Sequence, residues 1–351
     1  MRAPWWAKMS LVAGVVLVVL SSGSLATGAI LLNNVGNAVH QDDLLGSGSR
    51  RQHGAEVTGP LDVLLAGSDL RNSWKSTGEK PRTDSIMWLH IPASHDRAYL
   101  LSVARDLRVD IPAYAPSGFT GANEKINAAF SEGMKNVNDT SDGMKLLAQT
   151  VSQVTGAQFD MAGLVNWDGF TEITKELGGV TLCLDKGFTS TQPGFTYTKI
   201  SFPAGCHHYG AEKALLLVRQ RDNFADGDYG RQQIQQQFIK QIMKEATSKG
   251  VVTNPSKLSK IVDAAGKGVT LDLGGYSLVN LALALDKITA NDIITLQPPH
   301  AALWEGGVYE GESLEQPAAD DLFKSLRDDT IDQYLIQHPS VVSKNVPTPG
   351  Q

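Results

Sequence analysis

SIMWLHIPASHDRAYLLSVA, residues 85–104, is the stretch whose reading decides the fold. Two apolar runs, SIMWLHI (85–91) and AYLLSVA (98–104), flank PASHDR, a turn-rich link of hairpin length. Short apolar runs bounded by Pro, Ser and Asp predict strands. A link of this length predicts that the two strands are neighbours and antiparallel.

Working outward, LDVLLAG (61–67) is a short apolar run ended by Gly, a buried strand opening onto a loop. Residues 122–135 and 140–155 carry helical signals, with Asp139, Thr140 and Ser141 as N-cap candidates. Asp168 precedes GFTEITKEL and is predicted to cap that helix, which Gly178 and Gly179 end. VTLCLD (180–185) reads as a strand. Beyond Gly230, Ile234, Phe238, Ile242 and Ala246 recur every four residues, joined by Ile239 and Met243. They predict an amphipathic helix whose glutamines, Gln232, Gln233, Gln235, Gln236 and Gln237, form mostly its wet face. The mixture predicts an α/β (α+β) architecture in one domain over 57–330. A tail at 331–351, with Pro339, Pro347 and Pro349, is expected to fray.

The first ten residues hold Arg2 and Lys8 and no acid, and residues 11–32 carry no charge. As a helix, those 22 residues would span about 33 Å, enough for a hydrocarbon core of roughly 30 Å. The expectation is a retained transmembrane anchor with residues 1–10 in the cytoplasm, Trp5 and Trp6 at the interface, and the rest exported. A cleaved signal peptide is the alternative. Residues 33–56 mix Gly, Ser, Asn and charges without period and read as a flexible spacer. Only Cys183 and Cys206 occur, both beyond the apolar segment; in an oxidising compartment two cysteines pair.

With 31 Lys+Arg against 37 Asp+Glu the net charge is −6, which argues against non-specific nucleic-acid binding. LLLVRQRDNFADGDYGRQQIQQQF (215–238) nevertheless gathers Arg219, Arg221 and Arg231 beside Asp222, Asp226 and Asp228. A local arginine cluster in an acidic chain points to a discrete anionic ligand. If LVRQR is extended, Arg219 and Arg221 face one side, and guanidinium forks match phosphate oxygens bidentately. Arg231 begins a helix, whose N-terminal amides also favour anions. Gln235 lies one turn further along the same stripe.

Asp69 follows the first strand and Asp84 stands just before the next, so two neighbouring strand ends could place two carboxylates on one hard cation. Arg71 and Arg82 stand close to them in sequence. Arg105 and Asp106 directly follow an apolar strand, where ligands sit in layered folds. No nucleophile elbow, HExxH or P-loop occurs. His207 and His208 adjoin Cys206 without further ligands at zinc spacing.

DVLLAGSDLR, RTDSIMWLHI, LLSVARDLRVDIP, EKINAAFSEG, GFTEITKELGGVTLCLD and ALLLVRQRDNFADGDYGRQQIQQQF appear in this order. Together they resemble the LytR-CpsA-Psr family of exported cell-wall ligases, in an actinobacterial style. The likeness is strong over about 57–250 and looser to about 325. It implies a central, mostly antiparallel sheet flanked by helices, with a lipid tail in an apolar tunnel. It also implies a phosphotransferase, which moves a glycopolymer from a polyprenyl-pyrophosphate carrier to a muramic acid hydroxyl of peptidoglycan and forms a phosphodiester. A polyprenyl-pyrophosphate hydrolase and a non-enzymatic lipid-phosphate binder are the alternative functions.

On the family pattern Asp69 and Asp84 fall at metal positions, for Mg²⁺ with Mn²⁺ also allowed. Arg82, Arg105, Arg219 and Arg221 fall at pyrophosphate positions. Lys125 and Asn127 lie in the KINAA-like block, and Arg231 and Gln235 in the last motif, where Asp228 also matches an acid. Arg105, Arg219 and Arg221 are the expected catalytic cations and Asp106 a candidate base. The sequence departs from the pattern twice: Ala104 stands where Pro precedes Arg-Asp, and Ile234 where a second arginine often follows Arg231.

Overall fold

The computed structural model describes residues 40–46, 49, 56–70, 78–190, 199–221, 223–224, 227–248, 255–277, 280–281 and 284–343. A seven-stranded sheet runs in the order His40–Gln41, Val269–Asp272, Met161–Val165, Leu61–Ser68, Thr83–Ile91, Ala98–Val103, Ile293–Leu296. The 85–104 stretch forms the antiparallel pair expected of it, with Trp88 opposite Leu101. Leu61–Ser68 pairs antiparallel with Thr83–Ile91 and parallel with Met161–Val165.

The sheet is mixed rather than mostly antiparallel. His40–Gln41, Met161–Val165 and Ile293–Leu296 each join one neighbour in parallel. Parallel neighbours need long crossovers, and the chain supplies them by carrying helices between these strands.

Helices cover both faces. On one, Leu64, Ala66, Trp88 and Leu101 pack with Phe130, Leu147 and Phe323. These last three belong to Ala128–Gly133, Thr140–Thr155 and Ala318–Arg327. On the other, Trp167–Glu176, Ala211–Val218 and the long helix Asp228–Ser248 build a second cluster around Leu215, Leu217, Ile234 and Phe238. Phe170 stacks on Phe238 with ring centroids 4.1 Å apart.

Several local expectations are corrected. Residues 122–135 split into a strand, Ala122–Lys125, and the helix Ala128–Gly133. The cap of Trp167–Glu176 is Asn166, whose side chain accepts from the Gly169 amide, while Asp168 sits in the first turn. The glutamine run is not a wet face: Gln232 and Gln236 are buried and Gln233, Gln235 and Gln237 half-buried, and the Gln236 amide donates to the Ser102 hydroxyl and the Leu296 carbonyl at 2.8 and 2.9 Å. An apolar side chain at 236 could not make these hydrogen bonds to two neighbouring strands.

The presumed spacer carries an edge strand, His40–Gln41, and the buried Leu44 and Leu45. The presumed tail forms the helix Ile331–Gln337, and the Ser343 amide donates to the Thr295 carbonyl. Both stay on the domain because their apolar residues, Leu44 and Leu45 before it and Ile331 and Val341 after it, complete the same core. Among the described residues no helix is long and apolar enough to cross a membrane. The expected anchor at 11–32 lies outside them.

Cys183 and Cys206 form a disulfide directly across two paired strands, 23 positions apart in sequence. In the chain-entropy view, closing such a loop contributes about 3 kcal/mol. Replacing both with serine should lower unfolding free energy by that order, read by denaturant titration of the oxidised protein.

His90 is buried and bridges Asp62, at 2.8 Å, and Asp329, at 3.2 Å. Burial alone pulls the imidazole pKa down, but the hydrogen bonds and charges of Asp62 and then Asp329 outweigh it and raise the pKa above the ordinary 6.5. Stability from this charge is full below 6.5 and is lost as pH rises through the raised value. The thermal midpoint should therefore fall as pH rises above 6.5. The slope should flatten in Asp329→Asn, since Asn tolerates the positive φ at that position.

Candidate functional site

The sheet face under the long helix is cut back. Leu65, Gly67, Met87, Gly163 and Val165 alternate onto that face in register, Leu65 opposite Met87 and Gly163, Gly67 opposite Val165. A Cβ at Gly163 would come within 3.3 Å of the Leu65 side chain. Glycine there leaves room for a cavity of about 290 Å³ between the sheet and the helices. Its depth is apolar, lined by Phe170, Ile173, Leu215, Phe238 and Ile242, and its polar lining includes Ser68, Asp84, Arg219, Arg231 and Gln235.

A charged cluster adjoins this cavity. Arg105, at the exit of Ala98–Val103, donates through Nη1 to Asp84, and its Nε lies 3.7 Å from Asp106 and 3.6 Å from Asp228. Lys125 Nζ stands 3.8 Å from Asp106. Arg231, only 2% exposed, places Nη2 2.5 Å from Asp228 Oδ1 in an ion pair without hydrogen-bond geometry. Its Nε and Nη2 therefore keep donor capacity beside the cavity that Arg231 lines.

Burial pushes the Arg231 pKa down, opposed by Asp228 and reinforced by Arg105. For Arg105, burial also lowers the value, but Asp84, Asp106 and Asp228 outweigh it and the net shift is upward. Both guanidinium groups stay charged at neutral pH. A buried cation with unused donors, at the edge of an apolar cavity, is suited to an anion with an apolar substituent.

Among the residues picked out in the sequence, Asp84, Arg105, Asp106, Lys125 and Arg231 come together as expected, with Asp228. Arg219 and Gln235 line the same cavity, and Gln235 donates to the Val218 carbonyl at 3.3 Å. Asn127 is buried behind Arg105, its backbone amide donating to the Arg105 carbonyl. Asp69 follows Leu61–Ser68 at the sheet end, opposite Arg82. Its amide donates to the Arg82 carbonyl at 3.1 Å, and its carboxylate accepts from the Arg82 amide at 2.8 Å. Arg82 thus reaches the site through its backbone while the residue itself is exposed. Arg71 lies outside the described residues.

The extended reading of LVRQR is overturned. Ala211–Val218 is a helix with Arg219 as its helical C-cap, so Arg219 and Arg221 do not alternate as strand residues. Arg219 turns onto the face of Trp167, with Cζ 3.8 Å from the ring centroid, while Arg221 does not line the cavity. Four leucine and valine positions buried in a row made this segment helical, since the helix packs against two other helices rather than into a sheet.

Trp167 lines the cavity under Arg219 and was not singled out in the sequence. It stands 52 positions before Arg219, and no local spacing ties them.

Asp69 and Asp84, at adjoining strand ends, are the carboxylates that could hold a hard divalent cation, with phosphate oxygens completing its shell. Among the described residues no group of three or more His, Cys, Asp or Glu is gathered for a metal, so a shell made by protein alone is not formed.

A sequence model of the LytR_cpsA_psr family matches residues 29–328, and the chain belongs to this family. It is 28% identical over 323 residues to the cell wall biosynthesis protein LcpA of Corynebacterium glutamicum, covering 85% of this chain and 60% of that protein. The chain thus spans about three fifths of the length of LcpA. It is 27% identical over 306 residues to the polyisoprenyl-teichoic acid–peptidoglycan teichoic acid transferase TagV of Bacillus subtilis, covering 85% of this chain and 71% of that protein. The crystal structure of protein gbs0355 from Streptococcus agalactiae shares the fold, with a TM-score of 0.65 at 22% identity, over 78% of this chain and 88% of that one.

Stacking of a guanidinium on indole contributes about 0.5–2 kcal/mol. Trp167→Leu should therefore weaken inorganic pyrophosphate binding by about 3- to 30-fold in calorimetric titration, with Trp167→Phe closer to the parent.

Proposed function

We propose that this protein is a phosphotransferase that moves a glycopolymer from a polyprenyl-pyrophosphate carrier onto a muramic acid hydroxyl of peptidoglycan. The observation that carries this reading is one cavity with two characters: an apolar depth fit for an isoprenoid chain and a border of Arg219, Arg231 and Asp84 fit for its diphosphate. Names of relatives support it, since TagV is described as a teichoic acid transferase acting on peptidoglycan.

In this proposal Arg231 and Arg219 bind the diphosphate oxygens. Arg105, held by Asp84 and Asp228, faces the charge that grows on the departing polyprenyl phosphate. The acceptor hydroxyl attacks the sugar-proximal phosphorus. The new bond is sugar-phosphate to muramic acid oxygen, and the bond that breaks is the one to the polyprenyl phosphate. The hydroxyl proton passes to a site carboxylate, Asp106 or Asp84. Asp69 and Asp84 would hold Mg²⁺, which neutralises diphosphate charge when bound.

The anchor proposed for 11–32 would keep the domain outside the cell at the membrane where carrier lipids reside, and the disulfide is in keeping with an oxidising compartment.

The test is transfer from a defined lipid-linked glycan to peptidoglycan fragments, with and without Mg²⁺, read by mass spectrometry. A phosphodiester product is expected. Free glycan phosphate formed without acceptor would instead identify a hydrolase. Arg219→Ala should lower turnover by about 10²- to 10³-fold, as loss of one transition-state charge partner does. Unchanged turnover would remove Arg219 from the mechanism.

A further inference from the structure

Among the described residues, two of the three exposed large hydrophobic ones, Trp304 at 65% and Val308 at 60%, sit on one hairpin. It is built from His300–Glu305 and Val308–Leu314, which form a two-stranded sheet of their own. A two-stranded ribbon is marginal by itself, so what fixes this one matters. Its base is tied to the charged site. The Glu312 amide donates to the Asp106 carbonyl at 2.9 Å, and Leu107 and Glu312 form a bridge.

Gly311 has φ of 142°, and a Cβ there would lie 2.5 Å from the Asp106 carbonyl oxygen, so only glycine permits this approach. Tyr309 donates to Glu312 at 2.7 Å, and Lys125 Nζ lies 5.2 Å from the Tyr309 ring centroid. His300 stacks on Tyr229 at 3.6 Å, in the first turn of the long helix that carries Arg231. The hairpin is thus a fixed arm leaving the edge of the anion site. Near its tip, Trp304 packs edge-on against Tyr309, 5.6 Å between centroids, and remains mostly in solvent.

We infer that this arm is a saccharide platform, on which Trp304 takes a pyranose ring of the acceptor glycan and leads the strand toward Asp106. The inference rests on the transferase reading for its direction, though the binding itself does not. Chemistry selects the occupant. Residues 300–316 contain no Lys or Arg and carry Glu305, Glu310, Glu312 and Glu315. An arm meant for an anionic lipid surface or a nucleic acid would carry cations. A protein partner would need a far larger patch than a hairpin tip offers. A sugar needs one open aromatic face for its axial C–H groups, which the negative face of the ring attracts, and acceptors for its hydroxyls, which the exposed Glu305 provides.

The test uses the folded protein with two probes, a β-1,4-linked N-acetylglucosamine hexasaccharide and an uncross-linked peptidoglycan tetrasaccharide, titrated by calorimetry. Trp304→Ala should weaken saccharide binding by about tenfold or more, and Trp304→Phe should retain most of it. Inorganic pyrophosphate should bind the parent and both variants alike, because the anion site is untouched. The inference is overturned if the parent binds neither saccharide, or if Trp304→Ala binds them as tightly as the parent. It is also overturned if the substitution abolishes retention on phosphatidylglycerol vesicles, which would make the tip a membrane contact. Failure of the parent to bind pyrophosphate would defeat the transferase reading instead, leaving the saccharide result to stand separately.

Discussion

Arg231 is the constraint around which the site is arranged. Removing a guanidinium from water costs several kcal/mol, which is offset only by close opposite charge and further hydrogen bonds. Asp228 supplies the charge from three residues earlier on the same helix, and the same carboxylate oxygen lies 3.6 Å from Arg105 on the sheet. One aspartate therefore ties the start of the long helix to the end of a central strand. Arg105 in turn holds Asp84 on the next strand. The relative position of helix and sheet, and with it the mouth of the cavity, follows from this chain of charges.

The pairing of Arg231 is incomplete, and that is functionally informative. A structural ion pair in a core tends to satisfy its donors, whereas here Nε and Nη2 remain without hydrogen bonds. The apolar depth behind it needs small residues on the sheet: Gly67 and Gly163 give up side chains that a well-packed core would want. Both features cost stability locally. Both are in keeping with a bound molecule that brings anionic oxygens and apolar length together.

Trp167 and the hairpin show how much of a site can come from outside its charged motifs. Trp167 offers a flat surface that orients Arg219, whose segment is a helix end rather than a strand. The hairpin lies against Asp106 only because residue 311 is glycine. Neither contact involves a residue type or spacing that announces a site.

The sequence by itself determined the antiparallel core pair at 85–104, the strand at 61–67 and the helix beyond Gly230, and it named charged residues that the fold gathers around Arg105. Periodicity and strand-end position are local properties, so they can be read locally. It misjudged LVRQR, the glutamine run and the segments at 40–45 and 331–343, because their conformation is set by what they pack against: two helices, the carbonyls of sheet strands, and one shared core. Only the tertiary structure decided that Arg219 would rest on Trp167 and that Arg231 would be buried with unused donors beside an apolar cavity. Those outcomes depend on contacts between residues far apart in the chain, and the energy of such contacts exists only once the layers have closed.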